Sequence, residues 1–290
     1  MGLRRAAAQE AVGALHAGFT ALLALSLGVV LAFLAVPIAA LFTQVPLGDV
    51  PRLLGEPAVR DAIATTARTN AIANALILGV GTPAAYLLAT RRFRGRAVVV
   101  TLIELPLVLP PAVAGIALLA AFGSGGLLGP DLARVSIVLP FSEWAVALAV
   151  TFVASPFYLR QAIAAFQGVD PTLTDAARTL GASPLRTFAR VALPLAAGGL
   201  AAGWVLAFAR GVGEFGATIL FAGNVRGETQ TLTLAVYEQL EADFDVALSI
   251  GILLVVLSAA VLLSYKLLSL WCSSTSTSPS RFAPSTPTPL

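Results

Sequence analysis

Arg210 and Glu214 lie four residues apart inside a stretch that is otherwise almost wholly apolar, residues 195–222. On a helix that spacing puts both side chains on one face, where they can pair. Ionisable groups within a membrane span are costly, about 2.5–3.5 kcal/mol each on insertion scales. They therefore tend to face a bundle interior or a water-filled cavity. Two uses follow: lining a translocation path or gate, with Phe215 and Thr218 as near neighbours, or bracing the bundle. The same stretch holds "GVGEFG" (211–216), which matches the dinucleotide pattern G-x-G-x-x-G. That pattern needs a preceding strand and an opening helix. Here it sits within an apolar run, so small residues for close helix approach are the better explanation. Gly199 and Gly203, earlier in the run, have the same spacing logic.

Other chemistry is excluded by scarcity. One cysteine, Cys272, and one histidine, His16, leave no cysteine cluster, no multi-histidine metal site and no histidine-dependent triad. The single lysine, Lys266, follows no glycine-rich loop, so the chain has no phosphate-cradling motif of its own. No cofactor and no metal is expected on this chain, and any nucleotide driving its work must bind elsewhere. The acidic residues Glu238, Glu241, Asp243 and Asp245 suit helix capping or a partner better than anion binding.

These residues must be carried by membrane helices. Of 290 residues, 58% are hydrophobic and 11% charged, and the mean hydropathy is +0.89. Soluble domains carry about 25% charged residues, so the bilayer must serve as part of the solvent; no nucleic-acid partner is expected. Six apolar runs are long enough to span, at about 20–42, 71–89, 97–122, 144–166, 195–222 and 246–264. The third contains Glu104 with Pro106, Pro110 and Pro111, which mark a broken or kinked helix. Arginines 4, 5, 91, 92, 94, 96, 160, 178, 186 and 190 fall on one side if both termini are cytoplasmic, with Lys266 and Arg281. The positive-inside rule thus predicts an all-α protein, N-in and C-in. Residues 1–19 become a cytoplasmic N-terminal segment and 20–266 the membrane domain. The Ser/Thr/Pro-rich residues 267–290 read as a disordered cytoplasmic tail.

Between the fourth and fifth spans lies the polar insert 168–194. Asp170 is placed to cap a helix opened by Pro171, with Thr172 and Asp175 as an alternative capping box. Leu173, Ala176, Ala177 and Leu180 share one face, and Gly181 ends the helix. Ser183 and Pro184 open a second short helix, which is expected to stop where Pro194 leads into the fifth span.

Asp175-Ala176-Ala177, three residues, Gly181, nine residues and Val191-x-Leu193-Pro194 resemble the coupling-loop signature of ABC importer permeases, with Asp for Glu and Val for Ile. The resemblance extends over roughly residues 60–265. "RRFRGRAVVVTLIELPLVLPPAVAGIALLAAFG", "TFVASPFYLRQAIAAF" and "FARGVGEFGATILFAGNVRGETQTLTLAVYEQLE" are similar to the molybdate and sulfate permease group, closest to molybdate. The resemblance implies a type I permease fold in the plasma membrane, working as a homodimer. It implies a cytoplasmic ATPase dimer that holds ATP and Mg, and an extracytoplasmic oxyanion-binding protein. On this likeness Asp175, Ala176, Ala177, Leu180, Gly181, Pro184, Leu193 and Pro194 form the ATPase-coupling element.

Overall fold

The computed structural model describes the backbone of residues 2–275 and the side-chain surroundings of residue 16 and residues 18–267. Among the described residues every regular element is helical. Helix α1 (Gly2–Gln44) begins well inside the segment expected to precede the first span. Its large apolar side chains from Phe19 to Ile38 are exposed, as a lipid-facing helix requires. A short α2 (Val50–Leu54) leads to α3 (Pro57–Thr90), where Pro57 takes the first helical position after Glu56. At 34 residues, α3 is ~51 Å long and overreaches the hydrocarbon core.

The helix that carries the second span thus starts at Pro57, fourteen residues before the expected start of the span at residue 71. Its upstream polar residues are buried in the bundle, not left in a loop. Thr69 donates to the Thr65 carbonyl (2.8 Å), and Thr66 Oγ1 accepts the Leu232 N–H (2.8 Å). Helical threonine loses little by burial when its hydroxyl finds a carbonyl or amide.

The third run is two helices, α4 (Arg96–Val108) and α5 (Pro111–Phe122), bent by 119° at their junction. Leu109 and Pro110 make the break and Pro111 opens α5, as the prolines foretell. A small α6 (Gly129–Arg134) follows, then α7 (Glu143–Gln167), capped by Ser142, whose Oγ accepts the Ala145 N–H. Among the described residues five helical stretches are long and apolar enough to cross a membrane, or six with the bent pair.

The centre of the bundle is α7, packed between α3 and α10 (Leu193–Val212). Alanine is the commonest residue on its buried face, which lets neighbouring backbones approach. Gly199 and Gly203 of α10 serve that approach: a Cβ on Gly199 would lie 2.5 Å from Ala165 Cβ, and one on Gly203 2.9 Å from Gln161 Cβ. Arg68 of α3 clamps Glu143 at the start of α7 (2.7 Å).

Two further expectations about the helices are corrected. The fifth span does not run unbroken to 222: α10 stops at Val212, and α11 (Gly216–Phe221) restarts after Gly213–Phe215. The last described helix, α13 (Phe244–Thr275), follows α12 (Leu232–Ala242) and continues past 266 into the segment read as disordered. The remaining tail, 276–290, lies outside the described residues.

Candidate functional site

Two helix breaks meet in this bundle. The α10–α11 break sits against the α4–α5 break, with α11 packed on α5. A Cβ on Gly216 would fall 2.6 Å from Pro111 Cβ, and one on Gly115 2.8 Å from Leu220 Cβ. The sequence places glycine where no side chain fits.

Glu214 is the centre of the α10–α11 break. Its side chain is fully buried; Oε1 accepts the Ala217 N–H (2.7 Å), capping α11, while Oε2 lies 2.6 Å from Arg210 Nη2. An anionic group at a helix start and a cation in the last turn of α10 both complement the backbone dipoles. Thr233 of α12 donates to the Glu214 carbonyl (2.6 Å), tying that helix to the break. Phe215 packs on Tyr237 with ring centres 5.5 Å apart. Thr218 is buried one turn into α11. All four residues singled out in the fifth span therefore gather at one place. Arg210 alone of the ion pair reaches solvent, its side chain 27% exposed.

The nearby acids act on backbone and amides. Asp243 Oδ1 accepts the N–H groups of Asp245 (3.1 Å) and Val246 (3.2 Å) at the start of α13. Asn224 and Gln230 donate to Glu238.

At the other end of the spans, residues 168–187 form an exposed helical hairpin. Asp170 accepts the Thr172 N–H (2.9 Å) and caps α8 (Pro171–Thr179). That hydrogen bond holds its carboxyl below the usual value of 3.8. The Thr172–Asp175 capping box is not used. Gly181 takes φ +85° after Leu180, a left-handed conformation that favours glycine. Ser183 Oγ accepts the Arg186 N–H (3.3 Å), and Pro184 opens α9 (Pro184–Thr187). Asp175 lies 4.0 Å from Arg178, and Ala176 is exposed while Ala177 is half-buried.

Leu193 and Pro194 do not end the second helix. Phe188–Ala192 is a π-helical turn, the Leu193 N–H reaches the Phe188 carbonyl, and α9 runs on into α10. Proline lacks the amide that would continue the α ladder, and the wider turn absorbs that loss instead of stopping the chain. The hairpin thereby becomes a rigid extension of the fifth span. On it Leu180 is 88% exposed and Leu185 74% exposed, large apolar side chains on a polar element.

One constellation was missed from sequence. Glu104 of α4 and Arg160 of α7 approach to 3.8 Å, with side chains 40% and 72% exposed. Arg160 lines a cavity of about 500 Å³ together with Leu107, Phe157, Gln161, Ala164 and Leu206. Glu104 and Arg160 stood out individually, but their separation along the chain gave no sign of the pairing.

This architecture, a bundle of spanning helices with broken helices inside and an exposed hairpin between two spans, is that of a multi-pass transport subunit. The family described as "Binding-protein-dependent transport system inner membrane component" matches residues 81–271, and the chain belongs to it: it is an ABC-type permease subunit of the plasma membrane. The molybdenum transport system permease protein ModB of Mycobacterium tuberculosis is 44% identical over 236 residues, 80% of this chain and 88% of that one. A probable molybdenum ABC transporter permease of Haloferax volcanii is 40% identical over 253 residues, 85% and 88% of the two chains. The sulfate transport system permease protein CysT of Salmonella typhimurium is 33% identical over 253 residues, covering 86% and 91%. A bacterial alginate ABC transporter, solved with its alginate-bound periplasmic protein, shares the fold at TM-score 0.71 and 19% identity, over 88% of this chain and 94% of that one.

Proposed function

We propose that the chain is the permease subunit of an ATP-driven importer of molybdate. The observation that carries the cargo is the likeness to molybdenum permeases, 44% and 40% identical over four fifths or more of the chain. In this reading two copies form the membrane core, an extracytoplasmic protein delivers the oxyanion, and a pair of cytoplasmic ATPase subunits binds ATP and Mg.

The α8–α9 hairpin supports the coupling role. Leu180 and Leu185 offer apolar anchors for a partner groove, Ala176 and Ala177 keep the helix shallow, and Gly181 sets the angle between the helices. Because the π-turn joins α9 to α10, movement of Asp175, Pro184 and their neighbours is transmitted through Leu193 and Pro194 to the fifth span. There Arg210, Glu214, Phe215 and Thr218 form the gate region. Glu214 braces the broken helix from within, and the partly exposed Arg210 edge faces the path.

Uptake of labelled molybdate into sealed vesicles tests the reading. Import should require ATP, the ATPase chain and the binding protein; import driven by an ion gradient alone would sink it. The sulfate permease likeness, 33% identity over 86% of the chain, motivates a second cargo. If the cognate binding protein captures sulfate tightly and ignores molybdate, sulfate replaces molybdate in the proposal.

A further inference from the structure

At the hairpin end of the spans a cleft of about 740 Å³ opens between the end of α3, the end of α7 and α8. Its charged lining is Arg91, Arg92, Arg96 and Arg178, against the single carboxylate of Asp175. Asp175 sits 4.0 Å from Arg178, too far to neutralise it fully. Arg96 spends Nε on the Leu88 carbonyl (2.8 Å), which leaves its outer nitrogens available. Among the described residues, Arg91 and Arg92 make no ion pair and are exposed. The floor is aromatic: Tyr86 packs on Phe166 at 5.2 Å and on Phe188 at 4.8 Å.

Guanidinium groups gathered round one cavity repel one another unless an anion joins them. Their planar forks match the oxygens of a phosphate group. We infer that this cleft binds a phosphate group, and that its source is the headgroup of an anionic phospholipid. The neighbouring surface selects that source. Phe93 in the same turn is 43% exposed, and α4 leaves Arg96 with Val98, Val99 and Leu102 all exposed. An arginine rim running directly into an apolar helix face fits a molecule with a charged head and an acyl tail, at the cytoplasmic leaflet where anionic lipid concentrates. The bound headgroup lies against Thr174, Asp175 and Arg178 of α8, so lipid touches the coupling helix itself.

This rests on the inward orientation of α8 proposed above and not on the cargo. The test reads binding without transport, so its failure leaves the importer reading standing. Full-length chain in detergent is titrated with phosphatidylglycerol, with phosphatidylcholine and, separately, with inorganic phosphate, bound species being counted by native mass spectrometry. Phosphatidylglycerol should be retained in preference to phosphatidylcholine. In Arg91→Gln/Arg92→Gln that preference should fall about tenfold, each surface arginine contributing severalfold. Arg94→Gln removes a charge from the same turn but outside the cleft, and should keep the preference. Equal retention of both lipids by the unaltered chain overturns the proposal, and so does an equal loss in Arg94→Gln, which marks general surface attraction. Binding of inorganic phosphate without lipid preference overturns the lipid source. A double variant that loses the ATPase while keeping its lipid preference assigns the cleft to the protein partner and overturns it too.

Discussion

At the residue scale the charged pair of the fifth span makes a sharp prediction. Glu214→Gln keeps an oxygen for the Ala217 N–H but leaves Arg210 without its counter-charge. Removing one partner of a buried ion pair costs about 3–5 kcal/mol; Arg210 is partly exposed, so the low end applies. Thermal unfolding in detergent should show Glu214→Gln clearly destabilised and Arg210→Gln/Glu214→Gln recovering part of the loss. A double variant as unstable as the sum of the singles would show that the charges do not interact. Gly216 allows a second measurement. Gly216→Val drives a side chain into Pro111, and overpacking of this kind costs about 1–3 kcal/mol. Gly213→Ala, whose nearest contact would be 3.8 Å away, should be close to neutral in the same assay. Both glycines belong to one G-x-G-x-x-G string, so the contrast separates packing from motif. The pairing of Arg210 and Glu214 was legible because four residues of separation keep them neighbours, although Glu214 sits just past the end of α10, in the break, and not on the continuous helix face expected. Glu104 and Arg160 were not, since only the packing of α4 on α7 joins them.

At the scale of elements, caps were readable and breaks less so. Asp170, Pro171, Gly181, Ser183 and Pro184 dictate backbone conformation through bonds to their immediate neighbours, and each acts where its chemistry places it. Pro194 misled because a proline reads as a stop; whether a helix stops or widens depends on how tightly neighbours hold the next turn. The break at Gly213–Phe215 was hidden for the same reason, its partners Thr233 and Pro111 lying in distant segments. The hairpin is where coupling is tested. A Cβ on Gly181 would touch nothing, so Gly181→Arg meets only backbone strain, about 1–2 kcal/mol, and the chain should still insert. With the ATPase present, ATP hydrolysis should continue while import falls; normal import would remove the coupling role. Asp170 adds a pH dependence. Its carboxyl is lowered in the folded chain, so its stabilisation of α8 is fully present above 3.8 and is lost as pH falls through the lowered value. Between pH 5 and 8 the cap should not titrate, and Asp170→Asn, which keeps an acceptor oxygen, should import as well as the unaltered chain across that range.

Across the whole molecule two exposed surfaces differ in kind, and the difference assigns their surroundings. The α1 surface presents Leu25, Phe33 and Val36 with no charge among them, and the Ser26 hydroxyl donates to the Leu22 carbonyl (2.9 Å), so it faces acyl chains. The surface shared by α4, α7 and α10 presents the Glu104–Arg160 pair, with Arg160 lining a cavity of about 500 Å³. Arg160 lies seven residues before the end of α7, ~10 Å into the span from the hairpin end. An exposed ion pair at that depth would be costly against lipid, so this surface meets water or a second copy of the chain. A cysteine scan distinguishes the two surfaces. In a Cys272→Ser background, Ala164→Cys places a thiol in the cavity lining and Phe33→Cys places one on α1. Thiols react as thiolates, which form in water and are suppressed in apolar surroundings. A hydrophilic maleimide should therefore label Ala164→Cys at least about tenfold faster than Phe33→Cys. If this surface lines an alternating path, the rate at Ala164→Cys should also change when ATP and the ATPase are added, while that at Phe33→Cys stays constant. Labelling of Ala164→Cys as slow as that of Phe33→Cys, with or without nucleotide, would show that water does not reach the Glu104–Arg160 surface and would remove it from the path.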